Sequence, residues 1–263
     1  MSQFARYPSL IDRPVYITGG ASGIGATLVR LFAEQGAKVA FCDLNAEAAN
    51  TLAEECFSLE TPDGVTVHKP RFAQLDLRNT SDLKADIEAA AEEMGGLAVL
   101  VNNAGHDDRH DWLDVTEEYW DDRFAVNLRH QFFAIQAAGP IMQKAGSGSI
   151  INMGSVSWML KQDFFPAYAT AKSAVQGLTT TMAHKLGPDN IRVNTVVPGW
   201  VFTERQLEKW WSPEGEAEHL AQQCIQRRLY PEEFARIVLW LAADDSSGAT
   251  AQSFIIDLGG VGM

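Results

Sequence analysis

Short apolar runs alternate with amphipathic stretches along the chain. Seven runs are rich in β-branched residues and apolar on both faces, which is typical of strands in a parallel sheet covered on both sides. We place these strands at Val15–Thr18, Lys38–Cys42, Arg71–Leu75, Leu97–Asn102, Ser149–Met153, Arg192–Val197 and Ser253–Ile256. Between them the pattern predicts helices over Gly23–Gln35, Ala46–Phe57, Ser81–Met94, Thr116–Ala145 with a break, Ala167–Leu186 and Glu232–Ala242. The alternation predicts an α/β fold, a doubly wound parallel sheet of about seven strands with helices on both faces.

This alternation runs through all 263 residues without an internal repeat, so we expect a single domain over residues 1–263. One long segment, residues 200–229, separates the sixth predicted strand from the seventh and is helical and aromatic. In a doubly wound sheet such a segment overhangs the carboxyl edge, where ligands bind. We therefore interpret residues 200–229 as a lid over a substrate.

A glycine-rich turn follows the first predicted strand and opens a helix, in the order Thr-Gly-Gly-Ala-Ser-Gly-Ile-Gly from Thr18 to Gly25. Glycines there allow a tight turn and a close approach of the backbone to a diphosphate, and the free N–H groups of the helix attract the phosphates. The turn alone is a weak signal, since its spacing differs from the commoner Gly-x-Gly-x-x-Gly. Its position between a strand and a helix favours a Rossmann-type dinucleotide site.

Acidic residues end the next two predicted strands. An acidic side chain at the position of Asp43 can hold both ribose hydroxyls of adenosine and would repel a 2′-phosphate. No arginine or lysine occupies positions 21, 22, 44 or 45, where it could pair with such a phosphate. Asp43 could instead cap the following helix, although Asn45 is better placed for that. Asp76, followed by Leu77, could hold the adenine amino group or could be an ordinary loop residue.

Tyr168 and Lys172 lie four residues apart on a predicted helix, so their side chains share one face. A free phenol has a pKa near 10 and is a poor base at neutral pH. A nearby lysine cation, helped by a positively charged cofactor ring, favours the phenolate. Tyr168 is the only one of the five tyrosines with a lysine four residues further on. A chance helical pair would be the simpler explanation if no other residue pointed to the same site.

Other polar residues point to the same site as Tyr168 and Lys172. Ser155 follows the fifth predicted strand, Asn102–Gly105 ends the fourth, and Asn127 stands among apolar residues of a predicted helix, where its side chain needs a buried partner. The combined set resembles the short-chain dehydrogenase/reductase family over nearly the whole chain: Thr18–Gly25, Asn102–Gly105, Asn127, Ser155, Tyr168, Lys172 and Pro198-Gly199.

The resemblance implies a role for each matching residue. Tyr168 would be the acid/base, Lys172 would bind the nicotinamide ribose and lower the tyrosine pKa, Ser155 would orient the substrate oxygen, and Asn127 would hold a water. The implied cofactor site comprises Gly19, Ser22, Gly23, Ile24, Gly25, Asp43, Asp76, Leu77, Asn103, Ala104, Gly105, Tyr168, Lys172, Pro198, Gly199, Val201 and Thr203. Asp43 favours NAD over NADP. No metal is expected, because hydride moves directly between substrate and cofactor.

The substrate end resembles NAD-dependent aldose 1-dehydrogenases, most closely the D-xylose type, in residues 106–110, 155–158, 200–205 and 208–216. The implied reaction is oxidation of the anomeric carbon of a pentose or hexose, such as D-xylose, L-arabinose, D-galactose or L-fucose, to the lactone. The implied substrate residues are Asp107, His110, Ser155, Ser157, Trp158, Tyr168, Trp200 and Arg205. His106 and His110 with their neighbouring carboxylates superficially resemble a metal site, but they lie in a loop and lack a defined third ligand.

The net charge of the chain disfavours several alternative partners and functions. The formal net charge of −13 argues against nucleic acid, anionic lipid or an acidic carrier protein as a partner. The main alternative is a 3-ketoacyl or other secondary-alcohol dehydrogenase or reductase of the same family, and the net charge, together with Asp43, counts against the form that acts on a carrier protein. A dinucleotide-binding protein without catalysis is a further alternative, which the intact Ser155, Tyr168 and Lys172 set disfavours.

Three cysteines at irregular spacing indicate a reducing compartment. The first ten residues hold no continuous apolar stretch, and nowhere is there a run of about 18 apolar residues, so we expect a cytoplasmic protein outside the membrane. The predicted helices over 116–145 and 167–186 are rich in alanine and apolar residues, as interface helices often are. By resemblance to the family, we expect a homo-oligomer, specifically a tetramer.

Overall fold

A seven-stranded, entirely parallel sheet lies at the centre of the molecule, which we describe from a computed structural model for residues 4–61 and 65–262. The strands are β1 (Pro14–Thr18), β2 (Lys38–Asp43), β3 (Arg71–Gln74), β4 (Val99–Asn102), β5 (Gly148–Met153), β6 (Ile191–Pro198) and β7 (Ser253–Ile256). Their order across the sheet is β3-β2-β1-β4-β5-β6-β7. The predicted sheet is confirmed; of the predicted single domain, residues 1–3, 62–64 and 263 lie outside the described residues.

Helices cover both faces of this sheet. They are α1 (Gly23–Glu34), α2 (Ala46–Phe57), α3 (Thr80–Met94), α4 (Glu117–Phe124), α5 (His130–Ala145), α6 (Pro166–Leu186), α7 (Glu204–Trp210), α8 (Pro213–Ala221) and α9 (Pro231–Ala242). Apolar side chains of α1, α2 and α9 pack on one face of the sheet, and those of α3, α5 and α6 pack on the other. The two cores make the sheet doubly wound, as the strand pattern predicts.

The break predicted within residues 116–145 is a turn of π-helix at Ala125–Arg129, between α4 and α5. A π-turn inserts one residue into the helix and is frequent at functional sites. Asn127 stands in the middle of this turn and is fully buried. The sequence pattern therefore predicted an interruption within residues 116–145, while its position and form come from the structure.

The strand order reverses at β1, which lies between β2 and β4. The chain leaves β1 and β4 toward opposite faces, so a crevice opens at the carboxyl ends of these two strands, where doubly wound sheets bind ligands. The glycine-rich turn follows β1, and Asn103 follows β4. Helices α7 and α8 fall within residues 200–229, so the predicted lid is helical. Every helix in residues 4–61 and 65–262 is too short or too polar to cross a membrane.

Candidate active site

A cleft of about 1830 Å³ runs along the carboxyl edge of the sheet, from the glycine-rich turn to the lid helices. Apart from Lys172, which is buried, all the predicted cofactor residues line this cleft. Ser155, Asp107, Trp200 and Arg205 also line it, nearer the lid. The structure thus brings the predicted cofactor residues other than Lys172, and five of the eight predicted substrate residues, into one continuous space.

The glycine-rich turn has no room for larger residues. Gly19 has a φ of 68°, in the left-handed region that favours glycine, and its N–H donates to the Cys42 carbonyl at 2.8 Å. A Cβ on Gly25 would lie 1.8 Å from the Gly19 carbonyl oxygen. The side chain of Ser22 makes no capping hydrogen bond at the start of α1. The first backbone N–H groups of α1 therefore remain available to an anion. This turn fits the diphosphate of a dinucleotide.

Asp43 ends β2 against this turn. Its carboxylate accepts hydrogen bonds from the N–H of Ala21 at 2.9 Å and of Asn45 at 3.0 Å. The side chain of Asn45, not of Asp43, caps α2 by accepting from Ala48 N–H. Each carboxylate oxygen has further lone pairs, so Asp43 is held in place and can still accept from ribose hydroxyls.

Asp76, unlike Asp43, is paired with an arginine side chain. Its Oδ1 accepts from the N–H of Arg78 at 2.9 Å, and its Oδ2 lies 3.1 Å from the Arg78 guanidinium. The same guanidinium reaches Asp122 at 2.5 Å. These contacts are those of an ordinary loop aspartate, although Asp76 also lines the cleft.

The loop after β4 is tied to the end of β1. The Asn103 side-chain amide donates to the carbonyls of Thr18 at 3.1 Å and Gly19 at 2.8 Å, and Ala104 N–H donates to the Thr18 hydroxyl at 3.1 Å. A Cβ on Gly105 would lie 3.1 Å from both the Asn127 amide oxygen and the Lys172 ammonium. These contacts place the loop between the dinucleotide end and the catalytic end of the cleft.

Tyr168, Lys172 and Ser155 come together from two elements. Tyr168 and Lys172 lie on α6, and the Lys172 Nζ is 5.9 Å from the centroid of the Tyr168 ring. Lys172 is buried and donates to the main-chain carbonyl of Met153, at the end of β5, at 2.9 Å. Ser155 follows the same strand and accepts from Ser157 N–H at 3.2 Å. The structure brings these three residues together: Tyr168 and Ser155 line the cleft, and Lys172 is buried next to Tyr168.

Burial controls the titration of both α6 groups. Burial raises the pKa of Tyr168 well above its usual range, and the Asp107 carboxylate raises it further, whereas a hydrogen bond with Ser155 and the charge of Arg205 lower it. Burial lowers the pKa of Lys172 to about 8, against an opposing effect of Asp107. We expected the lysine cation to favour the phenolate, but the pKa of Tyr168 is raised, and burial is the largest cause.

Asn127 binds the backbone rather than a substrate. Its amide oxygen accepts from His106 N–H at 2.8 Å, and its amide nitrogen donates to the carbonyls of His106 at 3.1 Å and Arg123 at 2.9 Å. Gln131, a fully buried residue of α5 that the sequence analysis missed, donates from Nε2 to the carbonyls of Asn127 at 3.2 Å and Met153 at 3.4 Å. Gln131 therefore connects Asn127 to the carbonyl that holds Lys172.

The lid is joined to the loop after β4 by charged groups. The Arg205 guanidinium pairs with Asp107 and Asp108 at 3.1 Å each, and Gln206 donates to Asp107 at 2.7 Å. Trp200 donates from its indole nitrogen to Gln206 at 3.2 Å. Asp107, Arg205 and Trp200 thus come together at the end of the cleft formed by residues 200–229, and their contact with a substrate stays a prediction.

Three predicted substrate residues lie outside the lining of the cleft: His110, Ser157 and Trp158. His110 packs on the Tyr119 ring, and its Nδ1 lies within hydrogen-bond distance of the Tyr119 hydroxyl, at 2.9 Å. Ser157 is buried, and Trp158 is exposed. Their contact with a substrate stays a prediction.

The two histidines of the loop have separate partners. His106 contacts Arg123 and lies 3.2 Å from the Asp108 carboxylate, whereas His110 faces Tyr119. Burial lowers the pKa of His106, and Arg205 lowers it further. Within residues 4–61 and 65–262, no group of three or more histidine, cysteine or acidic side chains is arranged to hold a metal ion.

Comparison with known proteins identifies the class. The family profile described as enoyl-(acyl carrier protein) reductase matches residues 19–261. A short-chain dehydrogenase/reductase structure from Mycobacterium ulcerans covers 96% of this chain and 91% of its own, with a TM-score of 0.90 and 26% identity. A 3-oxoacyl-[acyl-carrier protein] reductase from Brucella melitensis covers 100% of this chain and 98% of its own, with a TM-score of 0.87 and 30% identity. The chain belongs to the short-chain dehydrogenase/reductase family and is an oxidoreductase that uses a nicotinamide cofactor.

Curated relatives are more similar still. The chain is 47% identical over 257 residues to a "probable galactose dehydrogenase" of Rhizobium meliloti, covering 98% of each chain. It is 48% identical over 255 residues to the D-xylose 1-dehydrogenase of Caulobacter vibrioides, covering 97% of this chain and 98% of the relative. A 3-alpha-(or 20-beta)-hydroxysteroid dehydrogenase of Mycobacterium tuberculosis is 35% identical over 252 residues, covering 96% of this chain and 90% of the relative.

Proposed function

We propose that this protein oxidises an aldose at its anomeric carbon, with NAD as the acceptor, to give the sugar lactone. The observation that carries the proposal is the 47–48% identity, over nearly the full length, to relatives named for galactose and D-xylose. The charged substrate end of the cleft supports it, because Asp107 and Arg205 suit a substrate with many hydroxyl groups.

Tyr168 is the proposed base. As phenolate, Tyr168 takes the proton of the C1 hydroxyl, while Ser155 holds the same oxygen by a hydrogen bond. The nicotinamide cofactor, when bound, accepts the hydride from the anomeric carbon. Lys172, fixed by the Met153 carbonyl, is placed to bind the nicotinamide ribose and to pass the proton toward a water near Asn127.

The preference for NAD rests on Asp43. Its carboxylate stands at the turn beside α1, where a 2′-phosphate would bring a second negative charge to hydrogen-bonding distance. Arg30 also lines this part of the cleft, but its guanidinium pairs with Glu55 at 2.9 Å. The charge balance at this end therefore favours an unphosphorylated ribose.

We also propose that the protein is a tetramer of the cytoplasm. Trp112 and Leu113, near the start of α4, are 69% and 72% exposed, which is unusual for such large apolar side chains in a monomer. The cysteines are free, as in a reducing compartment. Light scattering that returns the mass of one 28.9 kDa chain would exclude the oligomer.

The deciding experiment is a turnover assay of the purified protein with NAD. The substrates are pentoses such as D-xylose and L-arabinose, hexoses such as D-galactose and L-fucose, an aliphatic secondary alcohol and a ketoacyl thioester. We expect aldose-dependent NADH formation and a lactone product. Turnover of the alcohol or thioester without any aldose would overturn the sugar assignment and leave the family assignment intact.

A further inference from the structure

Arg109 lies between two aromatic rings from distant parts of the chain. Its guanidinium carbon is 4.5 Å from the centroid of the Phe164 ring and 4.6 Å from that of Trp210. Arg109 belongs to the loop after β4, Phe164 precedes α6, and Trp210 ends the lid helix α7. Because a guanidinium is planar and stacks on aromatic faces, Arg109 joins these three segments.

Two further contacts fix the same segments. The backbone N–H of His110 donates to the Phe164 carbonyl at 2.8 Å, which ties the loop after β4 to the loop before α6. Near the start of α7, Arg205 pairs with Asp107. The lid helix is therefore attached at both ends, by an ion pair at Arg205 and by the stack at Trp210.

The Trp210 indole offers a hydrogen bond that no neighbouring group accepts. Its Nε1 is buried and has no partner within the described part of the chain. Trp210 lines the cleft together with Arg109, Phe164 and Tyr168. A buried N–H without an acceptor lowers stability, and a hydroxyl of a bound substrate would satisfy it. Trp210 thus contributes to the wall of the cleft a side chain whose indole N–H has no acceptor among the described residues.

We propose that Arg109 and Trp210 determine substrate specificity: their stack with Phe164 forms the outer wall of the substrate subsite and presents the indole N–H to a substrate hydroxyl. A wall fixed at both ends of α7 favours a compact molecule with several hydroxyl groups over a long apolar alcohol. This inference rests on the proposed aldose oxidation, and it adds residues that neither the glycine turn nor the Tyr168 cluster identifies.

The test separates the ring of Trp210 from its N–H group. Trp210→Phe keeps an aromatic face for Arg109 and removes the donor, whereas Arg109→Met removes the guanidinium from between the rings. Trp211→Phe is the matched control, because Trp211 is the next residue, is exposed, and directs its indole N–H to Glu216. For each variant, kcat and KM are measured with an aldose that the wild type oxidises, and the dissociation constant of NAD is measured separately.

We expect Trp210→Phe to raise the aldose KM about tenfold, the equivalent of one lost hydrogen bond. Arg109→Met should also raise the aldose KM and should narrow the preference for the aldose over a long-chain alcohol. NAD affinity should stay within twofold of wild type in both variants, as in the control. An aldose KM that is the same in Trp210→Phe, Arg109→Met and Trp211→Phe would overturn the proposal.

A second measurement needs no sugar. Trypsin cleaves after lysine, and Lys209 lies in the last turn of α7, beside Trp210. Arg109→Met should accelerate cleavage at Lys209 relative to wild type, and Trp211→Phe should not. Equal cleavage rates for Arg109→Met and wild type would contradict the inference that the Arg109 stack holds α7 in place. If the wild type oxidises no aldose, the proposed function fails while this arm still tests the stack. If aldoses are oxidised but all variants match the control, only the specificity proposal fails.

Discussion

Lys172 and Tyr168 share one face of α6, and the Lys172 ammonium is held by a main-chain carbonyl beside the Tyr168 ring. The Nζ donates to the Met153 carbonyl at 2.9 Å and lies 5.9 Å from the centroid of the Tyr168 ring. The Met153 carbonyl, at the end of β5, therefore fixes the Lys172 ammonium beside the phenol ring. Because burial opposes the charged form of both groups, their titration depends on the few charges around them.

Replacing Tyr168 tests its role as the base. Tyr168→Phe removes the proposed base, so kcat should fall by about 10²–10⁴. The dissociation constant of NAD, measured by fluorescence titration, should remain close to wild type, since the glycine turn and Asp43 are unchanged. Full activity in Tyr168→Phe would rule out the proposed mechanism.

Lys172→Met should affect two properties together. The variant loses a group placed to bind the cofactor ribose, so NAD affinity should fall. It also loses a positive charge near Tyr168, so the tyrosine pKa should rise and the pH at half-maximal rate should move upward. A variant with weaker NAD binding but an unchanged pH profile would contradict the electrostatic coupling of the two residues.

Removing the charge of Asp107 should shift the pH dependence of kcat in the direction opposite to that expected for Lys172→Met. Its carboxylate raises the pKa of Tyr168, and it pairs with Arg205, whose charge lowers that pKa. Asp107→Asn removes the first effect and strengthens the second, so the rise of kcat with pH should occur at lower pH than in wild type. Asp163→Asn is the control, since Asp163 lines the same cleft and is exposed. A profile that moves upward, or moves equally in both variants, would contradict this assignment.

Cofactor choice should follow Asp43. Wild type should favour NAD over NADP at least tenfold in kcat/KM, a difference of about 1.4 kcal/mol. Asp43→Ser should weaken the binding of NAD and relieve the repulsion of the 2′-phosphate of NADP. The ratio of kcat/KM for NAD to that for NADP should therefore fall. Asp76→Asn is the comparison, because Asp76 is engaged by Arg78. A wild-type preference for NADP, or a ratio unaffected by Asp43→Ser, would show that Asp43 does not select the cofactor.

The fold was predictable because its strands and helices follow from local periodicity. The glycine turn, Asp43 and the Tyr168–Lys172 pair were also readable, since each is a short spacing on a single element. The stack of Arg109 with Phe164 and Trp210 was not, because it joins three segments that are distant in sequence.

The direction of a side chain in the fold also could not be predicted from the sequence. The resemblance implies that Trp158 is a substrate residue; the structure shows it partly exposed and outside the lining of the cleft, and its contact with a substrate stays a prediction. Gln131 left no readable signal, because a glutamine in an apolar helix gives no indication of which carbonyl it will meet.

Gln131 provides the last prediction, since it connects the π-turn to the lysine. Its Nε2 donates to the carbonyls of Asn127 and Met153, and the Met153 carbonyl also accepts from Lys172. Gln131→Leu withdraws the amide from both carbonyls and leaves a side chain of similar size. It also removes the buried Gln131 Oε1, which has no partner among the described residues. Because these two effects oppose each other, the free energy of unfolding should change by no more than about 1 kcal/mol.

The same substitution should lower kcat by roughly tenfold, because the carbonyl that positions the Lys172 ammonium loses a second donor that fixes it. Gln143→Leu is the matched control: Gln143 lies on the same helix, is exposed, and donates to Asp189 at 2.6 Å. Urea unfolding and steady-state kinetics of both variants make the comparison. A large loss of stability with unchanged kcat in Gln131→Leu would mean that Gln131 supports the fold and does not position the lysine.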